Sequence, residues 1–206
     1  MSEDERNHWD RRWAEREPSE PRPPEAAKGN LDLLPVSGRA LDVACGQGAQ
    51  AVWLALRGLE VVAVDISPRA LAAARALAER HGVADRVTFR EHDLDTGPPP
   101  LAHDLVTGPP PENPDLDNGP PPLAHDLDLV VCQRFLHRGF LSELTDRLKP
   151  GGLAAVSVLS DVGAPASAVG SVHRVRPGEL AGLLAGLEIL DSGEGDGVAW
   201  ALARRP

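Results

Sequence analysis

Apolar and polar positions follow two periods along the chain. Short runs such as VVAVDI, RVTFREHD, DLDLVVCQ and LAAVSVLS are typical of buried strands, and stretches with helical spacing, such as AVWLALRG and PRALAAARALAERHG, lie between them. Ser67 before Pro68 is a typical helix start, and Gly58 and Gly82 are typical helix ends. From Arg39 onward the pattern therefore predicts strands that alternate with helices.

The C-terminal third continues this pattern and adds a hairpin. A helix is predicted from Phe140 to Leu148, and the KPGG stretch after it predicts a turn before the next strand. Another helix is predicted for GELAGLLAG, after Pro177. The last stretch, LEILDSGEGDGVAWALARRP, predicts two strands joined by a glycine-rich turn. The fold class is therefore α/β, with a mostly parallel sheet, helices on both faces and an antiparallel last strand. Ligands of such sheets bind at the carboxyl ends of the strands, at the topological switch point.

The N-terminal segment differs from the rest. A charged helix is predicted from Ser2 to Glu17, with Trp9 and Trp13 four residues apart on one face, and a short helix from Glu25 to Leu34 follows the intervening prolines. We expect residues 1–35 to form a helical cap and residues 36–206 to form the main domain. The two tryptophans either close over a bound ligand or only dock the helix.

A direct repeat interrupts the main domain. The nonapeptide GPPPLAHDL occurs at Gly97 to Leu105 and again at Gly119 to Leu127, within a proline-rich insertion over residues 94–126. A loop of this length is uncommon in a compact domain. It is either a lengthened surface connection or a flap that binds a partner in extended form. Only the second copy continues as LDLVVC, so the fourth strand is predicted there.

Composition restricts the partners and the location. The 206 residues carry a formal net charge of -10, which makes a nucleic-acid partner unfavourable. The two cysteines, Cys45 and Cys132, have no spacing that indicates a disulfide scaffold or a metal site. The start MSEDERNHWDRRW has no apolar core of a secretory signal, and no stretch is apolar enough to span a membrane. A soluble cytoplasmic protein is expected, and its oligomeric state is left open.

The stretch LDVACGQGAQ places Asp42 and two glycines at the exit of the first strand of the main domain. Gly46 to Ala51 satisfies the dinucleotide pattern G-x-G-x-x-A, but no Lys or Arg between Leu41 and Leu56 could offset a pyrophosphate beside the acid. Two like charges about 4 Å apart cost on the order of 4 kcal/mol at a protein surface. A cationic ligand without phosphates, such as S-adenosylmethionine, avoids that cost.

Two further acids follow the next strands. Asp65 ends the second strand, where its carboxylate can accept hydrogen bonds from both hydroxyls of a ribose, of NAD or of S-adenosylmethionine alike. Asp93 follows the third strand, where its carboxylate can accept from the amino group of an adenine. Alternatively, each acid only caps the turn or helix after it.

These motifs, with HDLD, LDLVVCQRFLH and LKPGGL, resemble the class I S-adenosylmethionine-dependent methyltransferases, most closely the small bacterial tellurite-resistance and thiopurine type. The opening HWDRRWAE is similar to that group as well. The resemblance implies a Rossmann-like seven-stranded sheet whose last strand is antiparallel. Ala44 stands where the family usually has the first glycine of the turn. The implied cofactor-binding residues are Asp42, Ala44, Cys45, Gly46, Gly48, Asp65, Ile66, Asp93, Leu94, Gln133 and Arg134.

The resemblance predicts an enzyme that transfers a methyl group to a small-molecule acceptor, such as a thiol or a chalcogen oxyanion. His137 or His173 could be a general base, and Arg174 belongs with them in our candidate catalytic set. Basic residues of QRFLHR and SVHRVR would attract an anionic acceptor if they converge. The alternatives are a non-catalytic module that binds S-adenosylmethionine and a nicotinamide-dependent oxidoreductase.

Overall fold

A computed structural model describes residues 3–97 and 126–206. The helices are α1 (Glu3–Ala14), α2 (Ala49–Leu56), α3 (Pro68–Arg80), α4 (Arg138–Ser142), α5 (Leu144–Arg147) and α6 (Glu179–Leu183). The strands are β1 (Gly38–Val43), β2 (Leu59–Asp65), β3 (Val87–Glu91), β4 (Leu127–Gln133), β5 (Leu148–Ser160), β6 (Arg174–Val175), β7 (Glu188–Gly195) and β8 (Val198–Arg204). Short 3-10 turns cover Glu25–Ala27, Ala84–Arg86, Leu94–Thr96 and Ala166–Ala168.

The strands form one sheet in the order β3-β2-β1-β4-β5-β8-β7, and β6 adds two residues beside the end of β5. Pairs from β3 through β5 are parallel, whereas β8 is antiparallel to both β5 and β7. The predicted α/β class, the seven main strands and the antiparallel last strand are confirmed. The strand order reverses between β1 and β4, so their carboxyl ends mark the switch point at which a ligand is expected.

The sheet is covered on both faces, which explains why its central strands are apolar throughout. One buried cluster includes Val43, Val64, Phe140 and Leu180, and the other includes Leu54, Leu71 and Val131. Alternate residues of β1, β2 and β4 thus point into different cores, as in any strand buried on both faces. This rigid centre holds the strand exits in place.

The local predictions succeed where a start or stop signal is strong. The Ser67 hydroxyl accepts a hydrogen bond from the Ala70 amide at 3.1 Å, and Pro68 begins α3. The second copy of the repeat leads into β4 at Leu127, as predicted, while residues 98–125 of the insertion lie outside the described residues.

Three local predictions are wrong. Residues 25–34 contain one 3-10 turn and further turns rather than a helix, because two prolines precede them and Gly29 and Asn30 interrupt the spacing. The predicted helix over residues 140–148 is split into α4 and α5. The KPGG stretch belongs to β5, since Leu148 already pairs with Leu127 before the register shifts.

The N-terminal segment has two parts. Helix α1 packs against α3, and its Arg6 side chain lies 3.2 Å from the Glu91 carboxylate. Farther along, Ala26, Ala27 and Leu34 are buried in the core, and the turn Glu25–Ala27 packs against β5 and β8. The cap predicted for residues 1–35 therefore has an outer helix and an inner stretch that packs as part of the main domain.

Candidate cofactor and acceptor site

The turn after β1 has a left-handed backbone at three alternate positions. The φ angles are 54° at Ala44, 54° at Gly46 and 79° at Gly48. A Cβ at Gly48 would lie 2.8 Å from the Ala74 Cβ of α3, so only glycine fits there. The Cys45 amide donates to the Val64 carbonyl at 3.0 Å, which fixes the turn to β2.

Asp65 is buried at the end of β2 and organises the turn from the other side. Its Oδ2 accepts from the Gly46 amide at 2.8 Å, and its Oδ1 accepts from the Ser67 amide at 2.9 Å. Burial raises the pKa of the carboxyl, and these backbone donors oppose that rise. Each oxygen keeps a further lone pair, so the carboxylate can still accept from a ligand hydroxyl.

Asp42 lies beneath the turn and is 1% exposed. The Ala51 amide donates to its carboxyl, but Oδ2 has no hydrogen-bond partner in the part of the chain that the structure describes. Burial raises the pKa of Asp42 to about 8, with a smaller contribution from the negative charge of Asp65. A cation at this place would stabilise the ionised form.

The third exit carries the predicted adenine-side residues. Asp93 caps the turn Leu94–Thr96, because its Oδ1 accepts from the Asp95 amide at 2.9 Å. Leu94 and Ile66 are both largely buried and, with Asp93, line one wall of the cavity described below. A planar apolar ring with one polar edge matches such a wall.

Gln133 and Arg134 follow β4. The Gln133 amide group donates to the carbonyls of Cys132 and Ala155 at 3.1 and 3.0 Å, and its Oε1 accepts from the Glu25 amide at 2.8 Å. Gln133 thereby ties the N-terminal segment to the sheet. Arg134, with φ of 56°, turns its guanidinium toward the Glu25 carboxylate at 3.3 Å.

A cavity of about 850 Å³ lies over these strand exits. Its floor is formed by the turn after β1 and the ends of β2 and β4, and its roof by residues of the N-terminal segment. The roof residues include Trp9, Arg12, Trp13, Arg16, Ser19, Arg22, Glu25 and Lys28. Both tryptophans of α1 thus face the site.

The roof is attached by polar contacts. The Ser67 hydroxyl donates to the Asp10 carboxylate, and the Ser19 hydroxyl donates to Gln47 Oε1 at 2.9 Å. The Glu20 carboxylate lies 3.2 Å from the Arg80 guanidinium. These roof residues were not predicted apart from the two tryptophans, since a proline-rich stretch has no periodicity that indicates its path.

All eleven predicted cofactor residues lie at the exits of β1, β2 and β4 or just beyond β3, around this cavity. Nine of them line its wall; Asp42 lies beneath the turn, and Gly48 begins α2 against α3. Cys45 is buried with its thiol 3.7 Å from the Gly46 carbonyl oxygen, and burial holds the pKa of the thiol well above its usual value. Their roles toward a ligand remain predictions.

The three predicted catalytic residues lie elsewhere, and none is among the cavity-lining residues of the described chain. His137 caps α4, and its Nδ1 accepts from the Phe140 amide at 3.0 Å. Arg174 donates to the carbonyls of Ser160 and Gly197, and His173 is exposed.

The two basic segments meet each other, because Arg138 reaches Val172 and Arg174, but they do not meet at the cavity. Only Arg134 of that set lines the cavity. Arg138 donates to the Glu179 carboxylate at 2.7 Å and to the carbonyls of Val172 and Arg174. The guanidiniums of Arg138 and Arg174 thus hold the loop after β5 in place through its carbonyl oxygens. The other cations that line the cavity, Arg12, Arg16, Arg22 and Lys28, belong to the roof, which also carries Glu17, Glu20 and Glu25.

The residues present fit S-adenosylmethionine better than a dinucleotide. The floor has a buried acid with an unpaired oxygen, and the turn bears no basic side chain, so a sulfonium and an ammonium group are favoured there over a pyrophosphate. Asp65 suits the ribose, and the wall formed by Ile66, Asp93 and Leu94 suits the adenine. A methionine moiety would lie over the turn from Ala44 to Gly48.

Comparison with known proteins agrees with this fit. Residues 40–108 match the family described as Methyltransferase domain. Over 50 residues, 24% of the chain, the sequence is 46% identical to the ribosomal RNA small subunit methyltransferase C of Chromohalobacter salexigens, of which the match spans 15%.

Two solved structures are similar over most of the chain. An S-adenosylmethionine-dependent methyltransferase from Mesorhizobium loti has a TM-score of 0.60 and 18% identity, with 87% of this chain and 98% of that one covered. A TehB-like methyltransferase from Corynebacterium glutamicum has a TM-score of 0.57 and 15% identity, with both chains covered in full.

The matches confirm the resemblance that the motifs predicted. The chain has the fold of the class I S-adenosylmethionine-dependent methyltransferases, enzymes whose cofactor is S-adenosylmethionine, and its match to the methyltransferase family covers residues 40–108. Within the described residues, no helix is both long and apolar enough to cross a membrane.

Proposed function

We propose that this protein transfers a methyl group from S-adenosylmethionine to a small-molecule acceptor. The observation that carries the proposal is the roofed cavity of about 850 Å³ over the turn after β1. Cavities that hold small molecules typically measure about 300 to 1,000 Å³, so this volume suits a cofactor together with a compact acceptor.

The roof favours a small acceptor over a macromolecule. An RNA or protein target would have to displace the segment from Trp9 to Lys28, which is tied to the floor through Gln47, Ser67 and Gln133. The net charge of -10 also opposes an RNA backbone. Both features disfavour an RNA acceptor such as the one named for the Chromohalobacter relative.

When bound, S-adenosylmethionine would supply an electrophilic methyl carbon, with its thioether as the leaving group for the acceptor's electron pair. The protein's own residues mainly align the cofactor with the acceptor and enclose both. The buried carboxyl of Asp42 would ionise beside a bound cation, and Asp65 and Asp93 orient the adenosine. Trp9 and Trp13 exclude water from above, which favours in-line attack over hydrolysis.

Cations at the roof suit an anionic or soft acceptor. Arg12, Arg16, Arg22 and Lys28 line the cavity, although the acids Glu17, Glu20 and Glu25 line the roof as well. A thiolate or a chalcogen oxyanion could pair with one of these cations, and it needs no general base because it is already ionised. This choice agrees with the positions of His137 and His173 outside the cavity lining.

A non-catalytic module that binds S-adenosylmethionine is the alternative. It would keep the floor of the site but would need no cations at the roof. A nicotinamide-dependent oxidoreductase fits less well, because the floor offers an acid without a basic neighbour to a pyrophosphate.

Transfer of the labelled methyl group from S-adenosylmethionine to a panel of thiols, selenite and tellurite would test the proposal. We expect product from at least one acceptor and a reduced kcat/KM for the Lys28→Ala and Arg22→Ala variants. The matched control is Arg86→Ala, an exposed cation remote from the cavity that faces Glu60. Cofactor binding without turnover on any acceptor would favour the non-catalytic module.

A further inference from the structure

His137 joins the loops that follow β3 and β4. Its Nδ1 accepts from the Phe140 amide at 3.0 Å, and its Nε2 lies 3.2 Å from Asp95 Oδ1. The imidazole is partly buried, with 27% of the side chain exposed, whereas the carboxylate is 48% exposed. One side chain thus contacts both the start of α4 and the turn Leu94–Thr96.

The hydrogen-bond pattern assigns the proton on the ring. Because Nδ1 accepts a backbone N–H, the neutral imidazole carries its hydrogen on Nε2, where it points at the carboxylate of Asp95. Both ring nitrogens therefore have partners within the protein. His137 in this arrangement is built to hold two segments together, not to take a proton from an acceptor.

The contact continues to the adenine side of the cavity. The Asp95 amide donates to Asp93 Oδ1 at 2.9 Å, and the Thr96 hydroxyl donates to the Asp93 carbonyl at 2.7 Å. Leu94 belongs to the same buried cluster as Phe140. The orientation of the Asp93 carboxylate thus depends on a turn whose outer face is held by His137.

We infer that His137 is a positioning residue, which acts through Asp95 to aim the Asp93 carboxylate at the amino group of the cofactor's adenine. The inference rests on the proposed function, since it assumes that the cavity holds the adenosine part of S-adenosylmethionine. The His137–Asp95 pair thereby helps the site to discriminate adenine from other purines.

The test compares two ligands that differ at the adenine amino group. S-adenosylhomocysteine has that group, and S-inosylhomocysteine has an oxygen in its place. A hydrogen bond to a carboxylate makes a preference of about tenfold for the adenine ligand expected in the wild-type protein. In His137→Asn we expect the preference to fall below about threefold, because the shorter side chain cannot reach Asp95 but still caps α4.

Asp95→Ala should lower the preference to the same extent, and the double variant should lower it no further, because both changes break one contact. The control is Glu188→Ala, which removes a comparably exposed carboxylate of an ion pair on β7. Calorimetric titration gives each Kd, and thermal melts show that each variant is folded.

A tenfold preference that survives in both single variants would overturn the inference while the proposed function stands. Equal affinity of the wild-type protein for the two ligands would overturn it as well. Failure of the wild-type protein to bind S-adenosylhomocysteine would instead overturn the proposed function, and the inference with it.

Discussion

The indole of Trp13 lies directly against the backbone of Gly46. A Cβ added at Gly46 would come within 2.6 Å of two ring carbons of Trp13. The Arg16 guanidinium lies 4.7 Å from the centre of the same ring. The roof therefore touches the floor at the position where the methionine part of the cofactor is proposed to lie.

This contact predicts a fluorescence signal on binding. A ligand over the turn must shift the Trp13 indole, so the tryptophan emission of the wild-type protein should change when S-adenosylhomocysteine is added. In Trp13→Phe most of the change should be lost, while the Kd from calorimetry stays within about fivefold because an aromatic ring remains.

Trp53 and Trp200 provide the internal control, since they lie on the body of the domain. An emission change of full size in Trp13→Phe would contradict a contact between the ligand and this part of the roof. In Trp53→Phe we expect an emission change of the same size as in the wild-type protein.

Ala44 is predicted to strain the turn. It has a φ of 54°, and a left-handed backbone costs a residue with a Cβ roughly 1 to 2 kcal/mol. Ala44→Gly relieves this strain but increases the conformational entropy of the unfolded chain. We therefore expect a net gain of about 0.5 to 1 kcal/mol in the free energy of unfolding. Urea denaturation measures it.

The matched control is Ala72→Gly on the exposed face of α3, where the backbone is helical. This change should lower the free energy of unfolding by about 1 kcal/mol. Equal losses in the two variants would contradict the strain assigned to Ala44.

Asp42 is predicted to make stability depend on pH. Its pKa rises on folding from the ordinary 3.8 to about 8, so the folded protein keeps a proton that the unfolded chain has released. The free energy of unfolding should therefore fall as pH rises through this window and be lowest above it. In Asp42→Asn the decrease in the free energy of unfolding with rising pH should be smaller by a few kcal/mol. A decrease due to Asp65, whose pKa is also raised on folding, should remain.

Denaturation at several pH values between about 4 and 9 measures how the free energy of unfolding depends on pH. The same proton should be released when a cation binds, so the affinity for S-adenosylmethionine should rise with pH below about 8 and do so less in Asp42→Asn. Identical slopes in the two proteins would contradict a neutral, buried Asp42.

Gln133 is predicted to hold the N-terminal segment against the sheet. Gln133→Ala leaves the Glu25 amide and the Ala155 carbonyl without their side-chain partner, which should cost about 1 to 3 kcal/mol of stability. The segment from Pro18 to Lys28 should also become easier to cleave by proteases, as limited digestion with mass spectrometry would show. Gln50→Ala, a change at another cavity-lining glutamine, is the control.

The sequence predicts this site well where the chemistry is local. Asp42, Ala44 and Gly46 lie at one strand exit, so their order along the chain already places them together. Asp65 is set by the end of the next strand in the same way. The exits of parallel strands share one edge of the sheet, and the fold class was enough to bring these residues to the cavity.

Prediction from sequence was poorer where contacts are distant. Charge alone allows Arg138 and Arg174 to serve the site, but backbone carbonyls and Glu179 engage them. The path of the N-terminal segment depends on single contacts such as Ser19 to Gln47, for which no periodic pattern exists. Charge and composition report what a residue can bind, and only the fold decides which partner is near.

The central claim is that the floor of the cavity binds S-adenosylmethionine through the ribose acceptor Asp65. Calorimetric titration of the wild-type protein and of Asp65→Ala with S-adenosylmethionine, S-adenosylhomocysteine and NADH tests it most directly. We predict micromolar binding of the two adenosyl ligands, weakened at least about tenfold in a folded Asp65→Ala, and no binding of NADH. Binding of NADH alone, or of none of the three, would contradict the account.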